Sequence, residues 1–117
     1  MKSVFHLSTC STCKRILTLL QSEQKGFELQ DIKTEPITDE QLSSLANLAG
    51  SYEALFSRRA MKFRAMGLHE KELGEADYRD LILSEYTFLK RPVIVDGNNI
   101  FIGNAKKTIE AAQAHLA

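Results

Sequence analysis

Cys10-Ser11-Thr12-Cys13 contains both cysteines of the chain, and where it stands constrains the fold more than its spacing does. It stands just after the first hydrophobic run, Val4-Phe5-His6-Leu7, and just before the first helical pattern. A strand, a short turn and a helix N-terminus would set the first sulfur among unpaired backbone N–H groups, which favour a thiolate. The second sulfur would fall one turn into the helix, where it can attack an adduct formed on the first. That is the geometry of a two-thiol redox centre.

The rest of the pattern builds a sheet around that unit. Residues 3–7 read as a strand. Residues 13–24 read as a helix, with Ile16, Leu17, Leu19 and Leu20 at helical spacing and Lys25-Gly26 as the stop. Residues 27–32 alternate in polarity, as a second strand does. A strand–helix–strand unit this compact favours a parallel pair with a right-handed crossover. Thr34-Glu35-Pro36 breaks the pattern, and Thr38-x-x-Gln41 has the form of a capping box for a helix that buries Leu42, Leu45 and Leu48 and stops at Gly50. Shorter helices are predicted over 51–56, over 59–66 ending at Gly67, and over 75–83. Then the period changes. Val93-Ile94-Val95, the turn Asp96-Gly97-Asn98-Asn99 and Ile100-Phe101-Ile102 predict a hairpin. Asn104 is the predicted cap of a last helix that turns Ile109, Ala112 and Leu116 inward. The expected architecture is α/β, with a βαβ half and a ββα half forming one mixed four-stranded sheet. Its expected strand order runs from the second strand through the first and third to the fourth. Residues 1–34 and 90–117 form the core of a single domain, and 35–89 form a helical insertion.

Composition removes several function classes. Lys+Arg and Asp+Glu both number 15, so there is no global field to attract nucleic acid or an acidic membrane surface. No apolar stretch approaches a membrane span. The stretch Met1–Leu7 is too short and too polar for a signal peptide, so a cytoplasmic location is expected. A structural disulfide is unexpected in that reducing compartment. The Cys pair then has three readings: a redox centre, half of a metal site, or two inert buried thiols. Zinc needs about four ligands, or three plus water. His6, His69 and His115 are dispersed and no second Cys pair exists, so no metal is assigned. Polar Ser11 and Thr12, and the placement before a helix, argue against inert thiols.

Other residues could join the chemistry. Arg91-Pro92 opens the first hairpin strand, where a proline without an N–H belongs. Arg58-Arg59, with Lys62 and Arg64 close by, is either a solvated face or a source of one cation for the thiolate and an oxyanion. Lys14 and Arg15 could serve the same way. His6 reads as a core or edge histidine rather than a base. Tyr52, Phe56, Phe63, Tyr78, Tyr86 and Phe88 read as core of the helical insertion.

Taken together, Ser8-Thr9-Cys10-Ser11-Thr12-Cys13-Lys14, Ser57-Arg58-Arg59-Ala60-Met61-Lys62-Phe63, Lys90-Arg91-Pro92-Val93-Ile94-Val95 and Ile102-Gly103 resemble the ArsC/Spx/YffB family of thioredoxin-like proteins, across essentially the whole chain. The resemblance implies a thioredoxin-like fold, a catalytic Cys10, an arginine beside it at Arg91, and a cis-proline at Pro92. The glutaredoxin-coupled arsenate reductases of the family carry further arginines where this chain has Ser57 and Gly103. Arg59 and Gly103 look instead like the Spx and YffB branches.

The expected function is therefore a thiol-dependent oxidoreductase of the arsenate reductase-like family. Cys10 is the expected nucleophile and Cys13 the resolving thiol. Arg91 completes the catalytic set, and Ser11, Thr12, Arg58, Arg59 and Pro92 hold the oxyanion or disulfide substrate. No cofactor is expected to be bound; glutathione, glutaredoxin or thioredoxin would supply electrons. The alternatives are a Spx-like redox-sensing regulator whose partner is RNA polymerase, and a general disulfide reductase. Neither a membrane nor a directly bound nucleic acid is expected as a partner.

Overall fold

A computed structural model describes residues 2–20 and 25–116. Among the described residues there are four strands: β1 (Lys2–His6), β2 (Glu28–Asp31), β3 (Val93–Asp96) and β4 (Asn99–Ile102). The helices are α1 (Ser11–Leu20), α2 (Asp39–Ala49), α3 (Met61–Ala65), α4 (Glu75–Ser84) and α5 (Lys106–Leu116). The predicted extension of the first helix to Gln24 lies outside the described residues. The chain divides into two compact units, Met1–Glu35 with Arg91–Ala117, and Pro36–Lys90.

The first unit carries the sheet, in the order β2-β1-β3-β4. β1 runs parallel to β2 and antiparallel to β3, and β3 is antiparallel to β4. This is the mixed four-stranded sheet expected from the sequence, with the hairpin partner at one edge. Register explains the core. Leu29, Val4, Ile94 and Phe101 lie side by side across the four strands, all on one face. Ile16 and Leu20 of α1 and Ala112 of α5 pack on that row, joined by Phe27, Leu17, Ile109 and Leu116. Ile94 sits on a central strand and is 3% exposed. Ile94→Ala leaves a cavity there that its paired neighbours cannot fill, so the expected cost is about 2–5 kcal/mol. Urea unfolding at equilibrium checks it; an unmoved midpoint would deny that this row is the core.

The hairpin closes through a two-residue loop, since Asp96 pairs with Asn99. Gly97 takes φ 63, the left-handed backbone that lets such a loop follow the strand twist. The last helix begins one residue later than Asn104 would cap it. Its first turn is anchored by the Ile109 N–H on the Ala105 carbonyl, which puts the cap at Ala105.

The second unit is helical. Thr38 and Gln41 exchange hydrogen bonds at the start of α2, and Gly50 ends it at φ 94, as the sequence predicts. Ala46 is buried with Leu42 and Leu45, while Leu48 is half-buried. The predicted second helix is a single 3-10 turn, Glu53–Leu55, and two more such turns, Leu68–Glu70 and Tyr86–Phe88, have no counterpart in the sequence reading. Phe56 is the centre of this unit. Its ring stacks on Phe88 at 5.1 Å, tilts against Tyr78 at 4.9 Å and meets Phe63 edge-on at 5.9 Å. Tyr52 and Tyr86 are half-buried. No helix among the described residues is long and apolar enough to cross a membrane.

Candidate active site

β1 delivers the chain to a tight turn. The Cys10 N–H donates to the Leu7 carbonyl at 3.0 Å, and the Cys10 carbonyl accepts the Lys14 N–H at 3.1 Å. Cys10 is therefore the N-cap of α1, Ser11 its first helical residue, Thr12 its second and Cys13 its third. An N-cap side chain meets the N–H groups of the second and third positions. Here the acceptor is a sulfur, and the Thr12 and Cys13 N–H groups both donate to it. Partial burial pushes the Cys10 thiol up. The Cys13 N–H, the Cys13 thiol, the Thr12 N–H and the Arg91 charge together outweigh that, and hold Cys10 below the ordinary thiol value.

Cys13 is the opposite case. It is 1% exposed. Burial pushes its thiol up; a backbone hydrogen bond from Leu7 and the Arg91 charge pull the other way. Its hydrogen bond to Cys10 and the negative charge there add to the rise, which reaches about 11. Both sulfurs are free thiols. One helix turn thus holds an acidic thiol beside a reluctant one, and the second donates its S–H to the first.

Antiparallel pairing sets Val93 of β3 opposite Phe5 of β1, which brings the entry of β3 to the end of β1 that feeds the cysteine turn. The Arg91–Pro92 peptide is cis, and Pro92 is buried. The Gly103 N–H donates to the Pro92 carbonyl at 2.9 Å, tying the exit of β4 to the entry of β3. From this position the Arg91 charge acts on both thiols. Cys10, Ser11, Thr12, Cys13, Arg91 and Pro92 all belong to the first unit. Ser11 is exposed and Thr12 half-buried.

Arg58 and Arg59 belong to the second unit, and they differ. Arg58 donates to Glu53 at 2.7 Å and to the Tyr78 hydroxyl at 2.9 Å, and it lies over the Tyr78 ring at 5.5 Å. Arg59 is exposed on the turn before α3. Of the neighbouring cations, Lys62 is paired with Glu85. Charge pattern alone makes this cluster uniformly basic; the acidic partners come from other segments of the unit. Among the described residues no three His, Cys, Asp or Glu side chains gather as a metal site.

One residue near the cysteine turn escapes the sequence reading. Asp31, the last residue of β2, pairs in register with His6 and accepts the Ser8 N–H at 3.3 Å. The available signal was an acidic residue closing an alternating strand, which is weak. His6 is half-buried; burial lowers its pKa and Asp31 partly offsets this.

Comparison with known proteins follows the same lines. The global transcriptional regulator Spx of Streptococcus pyogenes serotype M1 is 29% identical over 112 residues, covering 95% of this chain and 84% of its own. Spx of Streptococcus agalactiae serotype V is 26% identical over the same length, covering 95% of this chain and 82% of its own. A solved YFFB protein superposes with a TM-score of 0.83 at 24% identity, over the full length of both chains. An arsenate reductase from Vibrio cholerae gives 0.77 at 15% identity, over 96% of this chain and 94% of its own. These likenesses establish the thioredoxin-like α/β fold. The sequence pattern of the ArsC family matches residues 5–112, from within β1 to the last helix and through both units. A match of that extent takes in the cysteine turn, the helical insertion and the Arg-Pro hairpin together, and by it the chain belongs to the ArsC family.

Proposed function

We propose that the protein is a thiol-dependent oxidoreductase in which Cys10 attacks and Cys13 resolves, with arsenate as the oxyanion substrate. The observation that carries this reading is the N-cap sulfur of Cys10, which accepts two backbone N–H groups while the buried Cys13 thiol donates to it. The thiolate is the nucleophile in such chemistry, so the site keeps one sulfur ionised and the other protonated.

The Cys10 thiolate attacks arsenic, and one arsenate oxygen leaves as water with two protons. Cys13 then attacks the Cys10 sulfur. The S–S bond forms, the S–As bond breaks, and its electron pair stays on arsenic, giving arsenite. The Cys10–Cys13 disulfide takes two electrons from glutathione, glutaredoxin or thioredoxin. The order of the two attacks is built into the thiols. Once Cys10 is bonded to arsenic, its sulfur is no longer a thiolate acceptor for the Cys13 thiol, while Arg91 remains and the adduct brings anionic oxygens of its own. Burial, the largest cause, still holds Cys13 protonated, so Cys13 gives up its proton as it attacks.

Arg91 offsets the charge of the thiolate. Arg91→Ala is expected to raise the Cys10 pKa. Arg91→Lys should keep part of that effect but lose oxyanion affinity, because Lys lacks the planar fork that meets two oxygens. Thiolate ultraviolet absorbance, titrated for the three proteins, checks it; superimposable curves would remove Arg91 from the site.

The Spx relatives support a second reading, in which the same disulfide alters a protein-binding surface and RNA polymerase is the partner. Purified protein incubated with arsenate and each reductant in turn separates the two. Arsenite release supports the enzyme. No release, with oxidation-dependent binding to RNA polymerase, supports the regulator.

A further inference from the structure

The turn that carries Cys10 is short of its own restraints. Between Leu7 and Cys10 one backbone–backbone hydrogen bond closes it, from the Cys10 N–H to the Leu7 carbonyl. Ser8, the next residue after Leu7, is instead held from outside by β2. Its N–H donates to Asp31 Oδ1 at 3.3 Å, and its hydroxyl donates to the same carboxylate. Asp31 is itself fixed. Its Oδ1 also accepts the Lys33 N–H at 3.2 Å, and its carbonyl accepts the Glu35 N–H at 2.8 Å and the Thr34 hydroxyl at 3.4 Å. The Ile32 N–H donates to the His6 carbonyl at 2.9 Å, which locks the ends of β1 and β2 together. A carboxylate on one strand therefore grips the loop leaving the next.

We infer that Asp31 is a positioning residue for the nucleophile: its carboxylate holds Ser8, and through Ser8 the turn that places the Cys10 sulfur on the N-terminus of α1. The chain of contacts is continuous. Leu7, adjacent to Ser8, accepts the Cys10 N–H and also hydrogen-bonds the Cys13 sulfur through its backbone. An N-cap interaction is worth its full amount only when the cap residue is held in extended backbone while the next residues are helical. Releasing Ser8 frees that geometry, and the sulfur loses N–H donors. Asp31 acts through Ser8 and touches no reacting atom.

Electrostatics agree with the geometry. The Ser8 hydroxyl, the Lys33 and Ser8 N–H groups and the nearby His6 outweigh partial burial and hold the Asp31 carboxyl below its ordinary range. His6, from β1, is the titratable side chain that acts on it; Lys33 contributes its backbone N–H. Asp31 thus stays ionised as the grip tightens.

The inference rests on Cys10 being the acidic nucleophile, and the test separates the two ideas. Thiolate absorbance and iodoacetamide labelling are measured as functions of pH for wild type, Asp31→Ala and Asp31→Asn. Asp31→Ala is expected to raise the Cys10 pKa and slow its labelling severalfold at neutral pH. Asp31→Asn retains an oxygen acceptor for the Ser8 and Lys33 N–H groups, so it should stay close to wild type. If both variants match wild type, or if Asn shifts Cys10 as far as Ala does, the positioning role is overturned. A wild-type Cys10 that ionises like an ordinary thiol overturns the nucleophile reading and this inference with it. A second measurement needs no variant. In the amide NMR spectrum of the wild type, the Ser8 and Lys33 N–H signals should titrate together, with an inflection below the ordinary aspartate range. A flat Ser8 signal would overturn the grip itself.

Discussion

The Cys10→Ser protein is expected to release no arsenite above the background of the reductant alone, and the Cys13→Ser protein is expected to stall partway. The difference follows from the bond proposed for each sulfur. Without Cys10 no S–As bond forms, and the Cys13 thiol cannot substitute. It is 1% exposed and protonated far above neutral pH. A serine hydroxyl at the N-cap would still accept the backbone N–H groups, so the fold should survive and the loss be chemical. Without Cys13 the first attack proceeds, because the donors that make Cys10 acidic include the backbone at position 13, which serine keeps. The adduct then waits for an external thiol. Incubation of Cys13→Ser with oxidised glutathione should leave one glutathione on Cys10, visible by intact mass. Full-rate arsenite release by Cys13→Ser would assign resolution to the external thiol instead.

Iodoacetamide should find one cysteine and pass over the other. With its pKa near 11, about one Cys13 in ten thousand is ionised at pH 7. Compared with an ordinary thiol at 9.0, that is about a hundredfold less thiolate, and the greater intrinsic nucleophilicity of the more basic sulfur recovers only about tenfold of it. Ionisation alone thus slows Cys13 by about tenfold before its burial is counted. Cys10 moves in the other direction. Its labelling rate should rise with pH and level off below the ordinary thiol range, whereas that of Cys13, whose burial outlasts the labelling of Cys10, should still be rising above it. Peptide mapping after brief alkylation at neutral pH decides this, and Cys13 labelled first would reverse the roles.

The placement of both sulfurs was legible in the sequence because a strand, a turn and a helix start are local, and local patterns carry them. The hairpin was legible for the same reason: Asp96-Gly97-Asn98-Asn99 is a turn by composition, and two apolar runs flank it. The Thr38–Gln41 cap was written out in four residues. What stayed hidden depends on groups far apart in the chain. Asp31 and Ser8 are 23 residues apart and meet only because β1 and β2 pair in one register. Arg58 lost its apparent freedom to Glu53 and Tyr78, the second of them 20 residues distant. The 3-10 turns at Leu68–Glu70 and Tyr86–Phe88 are too short to imprint any periodicity.

Gly103 bears on how this chain could change over time. Its φ of 87 and its bond to Pro92 define the turn after β4. The resemblance to the glutaredoxin-coupled arsenate reductases implies an arginine at this position, which this chain fills with glycine. There is room for a side chain here, since nothing lies within 4 Å of where a Cβ would stand. The backbone is the obstacle: an L-residue in left-handed conformation gives up about 1–2 kcal/mol. A single codon change toward arginine would therefore arrive with a stability penalty and with the guanidinium aimed by a backbone shaped for glycine. An arginine here would carry that cost of about 1–2 kcal/mol for as long as the turn kept its left-handed backbone.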